Sequence, residues 1–179
     1  MQKLISKCTF VNIDQSNKIR LKKYANVNCR MSEKSKRRVP NLSEVKSLYK
    51  IGDSAQLSKT VKDEDIRIFA EATGDKNPLH LDNEFASKTI FKRRIAHGFL
   101  TAGLISAVIG GKLPGNGTIY LSQTLNFLAP VYIGDEITAK VEVLQVLKGG
   151  KRLRLKTQVV NQSGTVVVDG EALVMPQRR

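Results

Sequence analysis

Ile137-Thr138-Ala139-Lys140-Val141-Glu142-Val143 alternates apolar and polar residues at every step, the signature of a strand with one face in a core and the other in water. Leu147 continues the series. After Gly149-Gly150, which suits a two-residue hairpin turn, Leu153, Leu155, Thr157 and Val159 repeat it. Gln162-Ser163-Gly164 makes the next turn, and Val166, Val168, Ala172 and Val174 follow; upstream, Ile119, Leu121, Leu125 and Phe127 alternate in the same way. Four consecutive strands with short turns predict an antiparallel sheet with one apolar face.

That face needs a partner, and the segment His97 to Ile109 supplies one. It is apolar on nearly every side, with small residues at Gly98, Ala102, Gly103, Ser106 and Ala107, so it reads as a helix surrounded by protein. Gly110-Gly111 and Pro114-Gly115 separate it from the strands. A long sheet with one apolar face and one buried helix predicts an α+β fold in which the sheet wraps the helix. Further upstream, Ala55 to Lys59 predicts a short first strand after the Ile51-Gly52-Asp53 turn. Asp63, Glu64 and Asp65 place negative charge at the start of a helix whose inner face carries Ile66, Phe69, Ala70 and Thr73, and Gly74 stops it. Asp82 to Ser87 adds a short helical turn and Lys88 to Arg94 a basic loop.

Composition narrows the class. The chain has 179 residues, 41% hydrophobic and 26% charged, enough for one well-filled core. Cys8 and Cys29 belong to no CxxC or Cys/His cluster, so neither a structural disulfide nor a zinc site is indicated. No window reaches the roughly 18 to 20 apolar residues that span a bilayer; the uncharged run Ile95 to Gly111 contains His, Ser and Thr.

The net charge of +14 resembles a nucleic-acid signal until it is divided. Residues 1–40 carry 11 Lys/Arg against Asp14 and Glu33, a net of +9, and residues 41–179 carry 19 against 14. Most of the excess therefore lies in a basic leader, residues 1–40, outside the domain expected over 41–179. The leader sets Leu4, Ile5, Phe10 and Val11 among basic residues, as a mitochondrial transit peptide does. The plainer alternatives are a disordered basic tail and a nucleic-acid arm. Met31 also offers a start for a shorter form.

The chemistry concentrates in Ala72-Thr73-Gly74-Asp75-Lys76-Asn77-Pro78-Leu79-His80, followed by Ala96-His97-Gly98. Both histidines of the chain are here. A carboxylate and an imidazole five residues apart, on a turn stiffened by Gly74 and Pro78, form a candidate acid/base pair. Pro78 pushes Asn77 toward an extended backbone, and the neutral Asn77 amide can orient a water or Asp75. Gly98 opens the buried helix, where backbone N–H groups lack internal partners and the missing side chain lets an oxygen approach. An Asp in a Gly-Asp turn is commonly turn chemistry alone, Gly98 can merely allow close packing, and Asn77 can be a turn residue.

The string Gly74-Asp75-Lys76-Asn77-Pro78-Leu79-His80, with Ala86-Ser87, Ala96-His97-Gly98-Phe99 and Phe127-Leu128-Ala129-Pro130-Val131-Tyr132-Ile133-Gly134-Asp135, resembles the MaoC-like family of R-specific enoyl-thioester hydratases. The resemblance spans roughly residues 55–174. It implies a single hot-dog fold, and reversible interconversion of (3R)-hydroxyacyl and trans-2-enoyl thioesters without metal or redox cofactor; with the leader, it implies a mitochondrial member acting in fatty acid synthesis. It carries the proton-transfer dyad onto Asp75 and His80, gripping one catalytic water, with their acid and base roles left open. Asn77 becomes the positioning residue and the Gly98 N–H the oxyanion donor. His97 then reads as a structural histidine. Where some relatives carry Ser, this chain has Ala96, which removes a hydroxyl near the dyad.

The basic loop Lys88, Lys92, Arg93 and Arg94 is a candidate rim for coenzyme A phosphates or the acidic face of an acyl carrier protein, the alternative being a solvated surface. A lone hot-dog domain leaves a sheet edge open, and the family covers it as a homodimer. Two other functional classes compete. A hot-dog thioesterase would share the pocket but is disfavoured by the Asn-Pro-Leu-His spacing. A basic RNA-binding protein with a vestigial site is disfavoured by the complete dyad and by charge concentrated in the leader.

Overall fold

The computed structural model describes residues 48–177 together with Asn12–Ile13 (β1) and Ile19–Arg20 (β2), a two-residue antiparallel ladder. The chain divides into two units, Met1–Pro40 and Asn41–Arg179. Apart from that ladder, the basic leader, with Cys8, Cys29 and Met31, lies outside the described residues.

In the second unit the elements run β3 (Ser54–Thr60), α1 (Asp63–Thr73), α2 (Pro78–Leu81), α3 (Asn83–Ser87), α4 (Gly98–Gly111), β4 (Ile119–Gln123), β5 (Asn126–Phe127), β6 (Glu136–Leu147), β7 (Arg152–Asn161) and β8 (Val166–Met175). The sheet is antiparallel, ordered β3-β6-β7-β8-β4, with β5 beside β8. The alternation expected in β6 and β7 is realised as far as Val143: Ile137, Ala139, Val141 and Val143 face inward, joined by Leu153, Leu155 and Val159, whereas past a register shift between Val143 and Gln145 it is Val146, not Leu147, that packs against the core. The inward hydroxyl of Thr157 accepts from Gln123 Nε2 at 2.8 Å, so the one polar side chain on the inner face of β7 is not left unpaired.

The sheet packs on α4 through Leu104, Ile105, Val108 and Ile109. The helix is buried on one side only. Gly103, Ser106, Ala107 and Gly110 are exposed, so its apolar character all round does not mean enclosure: small residues cover the outer face. Two other elements differ from the alternation pattern. The expected strand from Ile119 to Phe127 is two pieces, β4 and β5, with a bulge between Tyr120 and Ser122. In β8 a register shift turns Val167 inward beside Val168, which strict alternation does not allow. The β6–β7 connection takes four residues, with positive φ at Lys148, Gly149 and Gly150.

The turn before β6 locks the frame of the site. Gly134 adopts φ 94°, a conformation glycine tolerates best, and its N–H donates to Val61 O at 2.8 Å. Asp135 accepts from Tyr132 N–H at 2.8 Å and from Gln162 Nε2 at 2.9 Å. Asp135, part of the family string, is thus architectural. From the same segment Val131 O accepts from Ala96 N–H at 2.7 Å, fixing the chain entering α4.

Candidate active site

Helix α1 begins with Asp65 accepting from Lys62 N–H at 2.9 Å and ends at Gly74, whose φ of 78° is left-handed and whose N–H donates to Ala70 O. The reversal delivers Asp75 to the surface. Asn77 Oδ1 then accepts from Leu79 N–H at 3.0 Å, and Pro78 occupies the first helical position, where no N–H is missed. His80 therefore stands on one turn of capped helix, not on the loop that the spacing alone suggests. The carbonyl of Asn77's side chain is spent on the cap, while its backbone N–H donates to Asp75 Oδ1 at 3.3 Å.

His80 is buried, and its Nδ1 lies 2.9 Å from Ile95 O. A carbonyl can only accept, so Nδ1 carries a proton and Nε2 of the neutral ring is left with its lone pair. His97 is 1% exposed, and its Nε2 donates to the backbone O of Asp75 at 3.0 Å. Its Nδ1 is buried without a hydrogen-bond partner. Burial holds the His97 pKa below the usual imidazole value, with the hydrogen bond to Asp75 working the other way and the nearby His80 charge adding to the fall. The two imidazoles stack at 3.9 Å between centroids, and Phe69 lies 4.9 Å from His97.

One carboxylate oxygen of Asp75 and one ring nitrogen each of His80 and His97 fall within 4.8 Å of one another. These are also donor types a divalent ion accepts, and one nitrogen of each ring already donates to a backbone carbonyl. Two hydrogen bonds of about 2.8 Å through one water span the gap between Asp75 and His80.

Beside His80 opens a cavity of about 440 Å³. His80 and Gly98 lie in its wall, and the rest is apolar save Thr101, with Phe91, Phe99, Phe127, Val131 and Val167 among the lining residues. Gly98 is the first residue of α4, and His97 makes no side-chain cap there, so the first-turn N–H groups and the positive end of the helix dipole remain for a ligand. A Cβ on Gly98 would lie 2.8 Å from Phe127 Cε1. This cavity can hold an apolar chain with a polar head at the dyad.

The basic loop is less uniform than its sequence. Arg94 is only 10% exposed and is taken up inside the fold, bonded to Asp63 at 2.7 Å, to Asn83 at 2.9 Å and, at 3.5 Å, to Leu81 O. With Arg67 first and Arg94 also contributing, Asp63 is held below the usual carboxylate range. Arg94 thus ties α1 to the α2–α3 segment and is not free for a carrier. Arg93 lies over Tyr132, its Cζ 3.8 Å from the ring centroid; Lys88 pairs with Glu84 in solvent; Lys92 is exposed. Residues that sequence reasoning missed are Thr101, a buried hydroxyl in the wall, and Ile95, which acts through its backbone carbonyl. A backbone acceptor leaves no trace in residue type.

Comparison with known proteins places this geometry. The model of the MaoC like domain matches residues 49–168. The 3-hydroxybutyryl-CoA dehydratase of Methylorubrum extorquens is 50% identical over 137 residues, covering 74% of this chain and 87% of that protein. The mitochondrial 3-hydroxyacyl-[acyl-carrier-protein] dehydratase FERN of Solanum lycopersicum is 39% identical, over 72% of this chain and 78% of its own. The crystallised R-hydratase PhaJ1 of Pseudomonas aeruginosa superposes with a TM-score of 0.70 at 46% identity, covering 73% of this chain and 84% of that one.

Proposed function

The chain belongs to the MaoC-like domain family, and from that premise we propose how it works as a hydro-lyase of acyl thioesters, interconverting (3R)-3-hydroxyacyl and trans-2-enoyl forms. The names of its relatives support the reaction. The observation that carries the site assignment is the Asp75 carboxylate set within 4.8 Å of a His80 nitrogen, at a cavity walled by the uncapped start of α4.

In hydration, Asp75 and the Nε2 of His80 hold one water between them. Its oxygen bonds to C3 of the enoyl chain and its proton passes to the dyad. The C2=C3 electron pair moves toward the thioester carbonyl, whose growing negative charge meets the Gly98 N–H. The dyad then gives a proton to C2, so water is added in full and the pair ends as it began. Elimination reverses each step. Two such coupled groups titrate as a unit, so acid and base are properties of the pair. A preorganised amide at Gly98 is worth about 3 kcal/mol at the transition state. Asn77 serves by position: its cap and its backbone bond hold Asp75 and His80 in register.

The carrier we assign is an acyl carrier protein, received at a rim reduced to Lys88, Lys92 and Arg93, and the compartment is the mitochondrion. The basic leader and the tomato relative support both. The working unit is a homodimer joined through the exposed edge strand β4. Among the described residues, no helix is long and apolar enough to cross a membrane.

The test is to incubate the full chain with crotonyl-CoA, following loss of the conjugated enoyl absorbance and release of free thiol in parallel. Loss of the enoyl signal without thiol is the expected result. Thiol release would instead support a thioesterase, and inertness in both channels would overturn the reading.

A further inference from the structure

Between Glu84 and Asp135 the chain contains no acidic residue, while Lys88, Lys92, Arg93, Arg94 and Lys112 fall inside that interval. Most of the cavity wall is drawn from the same stretch. Of these cations, Lys88, Lys92 and Arg93 are exposed around the wall residue Phe91, a local positive charge that draws negatively charged partners.

Next to a wall residue stands an exposed apolar side chain. Phe91 lines the cavity, and its neighbour Ile90 is 87% exposed. A single exposed aliphatic residue is ordinary by itself; what sets this one apart is how it is displayed. Thr89 Oγ1 donates to Ala86 O at 2.7 Å and accepts from Phe91 N–H at 3.3 Å, and Lys92 N–H donates to Thr89 O at 3.2 Å. Lys92 closes the turn with φ 61°, a conformation few non-glycine residues adopt. The turn thus points one aromatic residue inward and holds one aliphatic residue out. Phe85, on α3 just before it in the chain, is a second exposed apolar residue, at 47%.

The cations around Ile90 are free to change partners. The Lys88–Glu84 pair is solvated on both sides and so is cheap to exchange. Arg93 is exposed and its Cζ lies 3.8 Å from the Tyr132 ring centroid, a cation–π contact that uses no carboxylate or phosphate acceptor.

We propose that Ile90, flanked by Lys88, Lys92 and Arg93, is the apolar anchor of a docking surface for an acyl carrier protein, a small acidic helical partner whose tethered acyl thioester enters past Phe91. This rests on, and deepens, the reading of the site as one that acts on carrier-bound thioesters. Coenzyme A would meet the same cations through its phosphates, and those contacts call for no apolar residue between them. A protein surface with acids around an apolar spot uses both features.

The experiment measures kcat/KM of the full chain and of Ile90→Asp and Ile90→Leu on crotonyl-CoA and on crotonyl-loaded acyl carrier protein. Ile90→Asp should lose about tenfold or more on the protein carrier, as loss of a central apolar contact does. It should stay within about twofold on crotonyl-CoA, and Ile90→Leu should stay near wild type on both. Equal losses on the two substrates, or undiminished turnover of the protein-borne substrate, would overturn the docking surface. A wild type active on crotonyl-CoA but inert on the protein carrier would overturn the carrier assignment and the surface together.

Discussion

His97 Nε2 donates to the backbone carbonyl of Asp75 at 3.0 Å, so the residue just before α4 also holds the loop bearing the Asp75 carboxylate. The same ring stacks on His80 at 3.9 Å. One buried imidazole therefore touches both members of the dyad without access to a substrate. Its part is positioning, and replacement should show it. His97→Ala removes a buried hydrogen bond, worth about 1 to 3 kcal/mol once the Asp75 carbonyl is left unpaired, and lets the loop drift. We expect kcat to fall about tenfold or more with a lowered unfolding midpoint. His97→Gln, which keeps a donor, should recover part of both. Steady-state kinetics beside urea titration decide, and indifference of kcat to His97→Ala would refute the positioning role.

A pH dependence of stability follows from the same side chain. Its folded pKa is lowered from 6.5, chiefly by burial. Above pH 6.5 neither folded nor unfolded ring binds a proton and the contribution is full. Below it the unfolded chain takes up a proton the folded one refuses, so stability falls as pH drops toward the folded pKa. The lowered carboxyls of Asp63 and Asp65 act in a separate window, losing their contribution only as pH falls below about 3.8. The urea midpoint of the wild type should thus decrease between pH 7.5 and 5.5, and that of His97→Gln should decrease less. Parallel slopes would show that another group titrates.

What the sequence revealed of this site depended on how locally each partner is encoded. Asp75, Asn77 and His80 lie within six residues, so one helix stop, one cap and one proline suffice to relate them. Arg94 is the opposite case. Its place in a basic run suggests a free cation, yet its partner Asp63 is 31 positions away in the sequence, and only tertiary packing brings the pair together. The break between β4 and β5 and the inward Val167 were hidden for a related reason: a bulge shifts the face a residue points to without changing its type. The inner faces of β6 and β7, with no such interruption in their buried halves, were legible residue by residue.

The dyad itself predicts a different signature from His97. Asp75→Asn keeps size and turn geometry but removes the charge, and His80→Ala removes the ring. Each should lower kcat/KM on crotonyl-CoA about 100-fold or more. Asp75→Asn should keep the wild-type unfolding midpoint, because Asp75 is exposed. His80→Ala should cost about 1 to 3 kcal/mol, because it leaves the carbonyl of buried Ile95 unpaired. Turnover within tenfold of wild type by either variant would sink the assignment.

Two glycines of α4 separate a site requirement from a helix requirement. At Gly98 an added methyl would meet the Phe127 ring at 2.8 Å, and that ring can yield only by disturbing the cavity it lines. Gly98→Ala should therefore lower kcat/KM about tenfold or more. Gly103 is exposed in the helix interior with nothing within 4 Å of an added Cβ. Gly103→Ala should gain about 0.5 to 1 kcal/mol from helix propensity and leave kinetics alone. If both substitutions behave alike in the assay, Gly98 has no special role at the oxyanion.

Strand β4 carries the argument for the assembly. It pairs with β8 on one side and ends the sheet on the other, yet Ile119 is 52% and Leu121 41% exposed. An apolar edge with open backbone groups invites a second strand, and a symmetric copy supplies one without leaving a new edge. Analytical ultracentrifugation at micromolar concentration should find a particle of two 19.9 kDa chains. Ile119→Lys, which puts a charge on that edge, should dissociate it, whereas Ile68→Lys on α1, also at an exposed apolar position, should not. Because Phe127 and Leu128, next along the chain at this end of the sheet, line the cavity, the Ile119→Lys monomer should also lose activity. A wild type that sediments as one chain would remove the edge from the account of the site.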